Sequence, residues 1–115
     1  MPLDIQESRN GNIAVVTMIG KLAQGDESQR MEALVEELLS RGEQRVVFDM
    51  SAVTYIDSAG IGMLAMAAGK MKEAQGKLVV VSPNGSRTTQ LLKLTQMNLL
   101  MTLRPTMAEA AESLA

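Results

Sequence analysis

Two short apolar runs, Val46-Val47-Phe48-Asp49-Met50 and Leu78-Val79-Val80-Val81, bracket a stretch of helical periodicity. That arrangement narrows the fold more than any other feature of the chain. Near-continuous apolar runs of this length read as strands covered on both faces. Between them, Ile61, Leu64, Ala65 and Ala68 mark one helical stripe, and Met63 and Met66 mark a second beside it. So wide an apolar surface predicts a mostly buried helix, running to about Gln75 and closed by Gly76. A helix joining two buried strands implies parallel pairing through a right-handed crossover.

The flanking segments extend this unit. Residues 3–8 form a strand candidate ended by Asn10-Gly11, a hairpin turn signal. Residues 13–19 are rich in β-branched side chains and make the second strand, which Gly20-Lys21-Leu22 continues or leaves. Asp26, with Gln29 three positions on, is placed to cap a helix. Met31, Leu34, Val35, Leu38 and Leu39 supply its apolar stripe, and Gly42 its end. Ser82-Pro83 stops the later strand. A further helix carrying Leu91, Leu94 and Thr95 begins after Asn84-Gly85-Ser86, and residues 99–103 read as a short strand. Thr106 and Glu109 form a capping box for a last helix with Met107, Ala110, Ala111 and Leu114 on one face. The expected fold is α/β. It has a mixed, mostly parallel sheet of four to five strands with an N-terminal antiparallel hairpin, covered by about four helices. Residues 1–115 are expected to form a single domain.

Composition removes several functions. The chain has no His and no Cys, which excludes thiol catalysis, disulfides, Cys/His zinc sites and a Ser-His-Asp triad within one chain. Its net charge is −2, against the clustered cations that nucleic-acid binding needs. Tyr55 and Phe48 are the only aromatics, too few for a base-stacking platform, so the core is aliphatic and draws on ten Met. No apolar run reaches the ~20 residues that cross a bilayer, and residues 1–11 lack a signal pattern. A soluble cytoplasmic protein without membrane insertion is expected. Asp26, Glu27, Glu32, Glu36, Glu37 and Glu43 crowd one segment and read as a solvated helix face or a face shaped for a basic partner.

The segment Tyr55-Ile56-Asp57-Ser58-Ala59-Gly60-Ile61-Gly62 lies between a buried strand and a buried helix, where sites collect in α/β sheets. Two readings stand side by side. Asp57 caps the helix and Ser58 is incidental, or Ser58 is an exposed phosphorylation site whose phosphate meets free N–H groups and the helix dipole. Gly60 and Gly62 serve either tight helix-to-sheet packing or the close approach of a partner. Residues 60–65 also match the dinucleotide pattern G-x-G-x-x-A. Residues 54–59 separate it from the end of the apolar run, and Val79-Val80-Val81-Ser82 stands where the ribose-binding acid belongs. Asp49 lacks the carboxylate partner on residues 13–19 that a phosphoaspartate receiver needs for Mg²⁺. No base is evident for Ser58 as a nucleophile, Lys21, Lys70 and Lys72 being the lysines nearest in sequence. No enzymatic activity is expected.

The stretch Val46-Val47-Phe48-Asp49-Met50-Ser51 through Tyr55-Ile56-Asp57-Ser58-Ala59-Gly60-Ile61-Gly62 resembles the STAS domain of bacterial anti-sigma factor antagonists. Gly20-Lys21-Leu22 and Lys77-Leu78-Val79-Val80-Val81 fit the same frame. The resemblance implies a STAS-like fold and a switch. The unphosphorylated antagonist binds a kinase-type anti-sigma factor and frees sigma, the kinase phosphorylates the serine matching Ser58, and a phosphatase resets it. It implies partner contacts at Asp57, Ser58, Ala59, Gly60, Ile61, Gly62, Lys21 and Ala23. Nucleotide and metal belong to the partner, so no cofactor or metal is expected here. A monomer or weak dimer is expected. Many family members carry a polar residue after the Gly-x-Leu, where this chain has Ala23 with Gln24 and Asp26 nearby. Related STAS domains serve in stress-signalling or transporter-regulating assemblies, an alternative in which Ser58 does not turn over.

Overall fold

A glycine in the left-handed region opens the sheet. Gly11 has φ +63° and, with Asn12, joins β1 (Asp4–Asn10) to β2 (Ile13–Leu22). Positive φ at the first loop position suits the twist of a tight hairpin and is cheap for glycine. The first strand therefore runs past the expected 3–8, and Asn10 pairs with Ile13. The computed structural model describes residues 3–23, 25 and 27–115, with backbone alone at 27 and 28. Among these follow α1 (Glu27–Ser40), β3 (Arg45–Ile56), α2 (Ser58–Glu73), β4 (Lys77–Val81), α3 (Arg87–Leu94), β5 (Thr102–Arg104) and α4 (Met107–Ser113). Asp26, expected to cap α1, and Gln24 lie outside the described residues.

The five strands lie in chain order, β1-β2-β3-β4-β5. The β1–β2 pair is antiparallel and each later pair is parallel. Successive right-handed crossovers in one direction put α1, α2 and α3 on the same face. Their Met31, Val35, Leu38, Met63, Leu64 and Leu92 pack on Val16, Met18, Val46, Phe48 and Val80. Phe48 is almost fully buried, and burial of such a side chain contributes ~1.5–3 kcal/mol. The alternate residues Val15, Val47, Val79 and Val81 point the other way and meet Ala110 of α4 and Leu114, which caps its end. Adjacent valines thus enter different layers, which is why the two runs are apolar without a break. The expected mixed, mostly parallel sheet is what the chain forms.

Helix ends follow backbone chemistry. Past α1, Gly42 has φ +77°; its N–H donates to Leu39 O at 3.0 Å and Glu43 N–H to Leu38 O at 3.1 Å. This is the Schellman pattern. Past α2 the same pair of bonds runs from Gln75 N–H to Lys72 O (3.0 Å) and from Gly76 N–H to Met71 O (2.8 Å). Here the left-handed residue is Gln75, φ +61°, and not the glycine. At Gly76 a Cβ would stand 2.6 Å from Met71 Cε, the mobile end of that side chain, and 3.4 Å from the Gln44 backbone. Ser86 caps α3, and Thr106 caps α4 by accepting from Glu109 N–H at 3.2 Å. The strand expected at 99–103 is corrected. Met97–Leu99 is a 3₁₀ turn, and only Thr102–Arg104 pairs with β4. Leu94, Leu99 and Leu100 are left exposed. Among the described residues no helix is long and apolar enough to cross a membrane.

Candidate functional site

β3 outgrows its neighbour and carries the site outward. β4 pairs with it only as far as Asp49↔Val81, so residues beyond Asp49 pair with β2 alone. Two bulges shape this extension. The register steps from Thr17↔Asp49 to Ile19↔Ala52, and from Gly20↔Val53 to Lys21↔Tyr55, each time with one extra residue on β3. A bulge shifts the side-chain alternation by one. The core face therefore reads Val46, Phe48, Met50, then Val53, then Ile56. The strand lasts to Ile56, so residues 54–56 of the stretch that separates the apolar run from the glycine pattern belong to β3 and residues 58–59 to α2; Asp57 alone lies between the two elements.

Asp57 makes the turn. Its backbone is extended (φ −116°, ψ −173°) and its Oδ1 accepts from Gly60 N–H at 2.9 Å. Its carbonyl accepts from Ile61 N–H at 3.0 Å, and its own N–H donates to Leu22 O at 3.4 Å. Those bonds satisfy one of the orphan donors of the helix and tie the turn to the end of β2. Gly60 completes the tie. A Cβ there would lie 2.1 Å from Leu22 O and 2.8 Å from Ile56 Cγ1. No real side chain fits. Gly60 is buried against this chain's own β2, the packing role of the two open to it. The G-x-G-x-x-A pattern of residues 60–65 lies wholly within α2 and forms no phosphate-binding loop between strand and helix.

The outer side of the same turn is open. Ser58 is the first residue of α2 and is exposed, Gly62 is exposed with nothing within 4 Å of a Cβ, and Asp57, Ala59 and Ile61 are half-buried. Ser58 and Gly62 share a face because residues four apart lie one above the other. The half-buried Met66 continues it. Asp57 takes the Gly60 N–H, so the amides of Ser58 and Ala59 are the donors the cap leaves over. An anion at Ser58 meets them and the positive helix end, worth ~0.3–1 kcal/mol.

The Leu22 bonds bring Lys21 and half-buried Ala23 to the same end of the sheet. Lys21 stands over the Tyr55 ring, 6.0 Å from its centroid. Tyr55 is 51% exposed and Ile19 39%. Sequence reasoning did not single out either: Ile19 keeps the parity of Val15 on β2, on the sheet face that α4 covers elsewhere, and Tyr55 follows the second bulge of β3. Lys70 and Lys72 lie in the last turn of α2, about 18–21 Å along the helix from Ser58. Three groups with displaced pKa values lie away from Ser58. Lys70 is raised by its bond to Glu36, Arg41 is raised by Glu7, and Glu43 is lowered by Arg9. No group of three acids suited to a metal occurs among the described residues.

The sequence model of the STAS domain matches residues 4–110. The chain belongs to the STAS domain family. BtrV of Bordetella bronchiseptica, which carries the name of an anti-sigma factor antagonist, is 34% identical over 53 residues. That match spans 46% of this chain and 46% of BtrV, so less than half of the relative is aligned. A crystal structure of an anti-sigma factor antagonist from Mycobacterium paratuberculosis superposes with TM-score 0.85 at 22% identity, covering 97% of this chain and 93% of that one. SpoIIAA of Bacillus, in its phosphorylated form, superposes with TM-score 0.71 at 16% identity, covering 97% of this chain and 100% of the other. These structures share the fold.

Proposed function

We propose that this chain is an anti-sigma factor antagonist whose binding to a kinase-type anti-sigma factor is switched off by phosphorylation of Ser58. The observation that carries the reading is the exposure of Ser58 at the first position of α2, on a turn that Asp57 and Gly60 hold to β2. Unphosphorylated, the face formed by Ser58, Ala59, Ile61 and Gly62, flanked by Asp57, Lys21 and Ala23, docks on the anti-sigma factor, and sigma is released. Tyr55 stands beside Lys21 at this end of the sheet. Gly60 acts from beneath by fixing the turn. The kinase brings the nucleotide and metal, and a phosphatase resets phospho-Ser58. In this reading residues 1–115 are one STAS domain working in the cytoplasm beside its partners.

The energetics suit a switch. Phosphoserine carries about −1.5 to −2 charges near neutral pH. The helix end tolerates that charge in the free protein. A partner covering Ser58 leaves it uncompensated, at a cost of ~3–5 kcal/mol. Affinity then falls by roughly two to three and a half orders of magnitude. SpoIIAA supports an unchanged fold: its unphosphorylated and phosphorylated forms superpose on this chain with TM-scores 0.72 and 0.71.

The test is incubation with the candidate anti-sigma kinase and Mg·ATP, followed by intact mass and site mapping. One added phosphate at Ser58, with loss of the complex, is the expected result. No modification by a kinase shown to be active on another antagonist overturns the proposal.

A further inference from the structure

The end of the molecule remote from Ser58 carries a second surface. A concave groove of about 740 Å³ runs between the last turn of α2, the start of β4 and residues 98–104. Its charged lining has one sign. Lys72, Lys77, Lys93 and Arg104 border it, with no Asp or Glu. All four are exposed, and among the described residues none makes an ion pair. Lys70, one residue pair away on α2, is by contrast paired with Glu36. Arg104 is held in place, its guanidinium donating to Ser113 Oγ at 2.8 Å and to Leu103 O at 2.9 Å.

The same groove is lined by Leu99 and Leu100, 74% and 60% exposed. In a chain of net charge −2, four cations without carboxylate partners gathered around bare leucines are a local reversal of the overall balance. Exposed apolar surface rimmed by polar groups marks interaction sites. The surface is concave, which fits a chain segment better than a flat bilayer. It holds no aromatic side chain on which a base could stack.

We propose that this groove docks an acidic amphipathic segment of another protein. Its apolar side chains seat on Leu99 and Leu100, and its carboxylates face Lys72, Lys77, Lys93 and Arg104. Helix-in-groove recognition works this way, with apolar anchors and a charged rim. Lys72 lies about 21 Å along α2 from Ser58, so the groove and the phosphoserine face can be occupied together. The proposal stands whether or not Ser58 is phosphorylated.

The test titrates the full ¹⁵N-labelled chain with a synthetic peptide of about five helical turns, leucine on one face and glutamate elsewhere. Controls are a scramble of the same composition, a version with lysine for glutamate, and phosphatidylglycerol vesicles. Saturable shifts confined to residues 72–79 and 93–104 are expected. Lys72→Glu with Lys93→Glu should weaken binding at least about tenfold, and Leu99→Ser with Leu100→Ser should do likewise. Both pairs are exposed, and either alone suffices if the other perturbs the free spectrum. Any of four results overturns the proposal: no saturable shift at peptide concentrations on the order of 1 mM, equal binding by the scramble, shifts centred on residues 57–62, or tighter association with vesicles than with the peptide.

Discussion

Gly60 and Gly62 stand two residues apart in α2, yet they answer to different constraints. Gly60 turns inward, where the missing side chain leaves room for Leu22 O. Gly62 turns outward, where a side chain would touch nothing within the chain. The inner side of this helical turn is fixed by its packing on β2 and by the hydrogen bonds of Asp57. The outer side is free of any requirement of the fold, so what stands there is open to selection by a partner. Two identical residues thus separate what builds the turn from what the turn can present.

Four substitutions sharpen or break that contrast. Gly60→Val should have the largest effect, because its branches meet backbone atoms that cannot move aside; a loss of ~3 kcal/mol or more by urea unfolding is expected. Normal stability would mean that α2 can lift off β2, and the contrast would fail. Ser58→Asp should reduce affinity for the anti-sigma partner by about tenfold or more in calorimetry, while circular dichroism and the melting temperature stay nearly unchanged. A lowered melting temperature would place Ser58 on the structural side instead. Asp57→Ala should cost ~1 kcal/mol through loss of the helix cap, measured by the same unfolding curve. Smallest is Gly62→Ala, which should raise stability by ~0.5–1 kcal/mol, since alanine favours the helix and nothing blocks it. Weaker partner binding by this more stable variant would show that the open space is used in the complex; unaltered binding would limit the docking face to Ser58 and its nearer neighbours.

The parts of the fold that were legible in the sequence are those where one physical rule acts alone. Val46–Phe48 and Val79–Val81 announce buried strands because both of their faces are covered. Ser86 and Thr106 announce helix starts because a hydroxyl at that position captures an amide. The second half of β3 was hidden by its two bulges. Met50, Val53 and Ile56 recur every third residue, a spacing that belongs to no regular strand. Gln75 was equally hidden, since a left-handed φ normally calls for glycine and here the glycine follows it. Of the site, Asp57 and Ser58 could be read from helix-start chemistry. Gly60 could be singled out, but not assigned to the packed side, because its neighbour Leu22 is remote in sequence and only the β2–β3 register brings it near. Tyr55 depended on the same register.

The sheet order β1-β2-β3-β4-β5 has a consequence for how the molecule is made. No strand has to insert between two others already joined; each new one adds to the free edge left by its predecessor. A chain emerging from its N-terminus can therefore extend the sheet step by step as it is synthesised. The turn at Asp57 rests on β2, β3 and the first residues of α2. Every group that shapes it lies at or before Ile61 and is translated ahead of β4, whereas the basic groove needs residues out to Leu114 and is completed last.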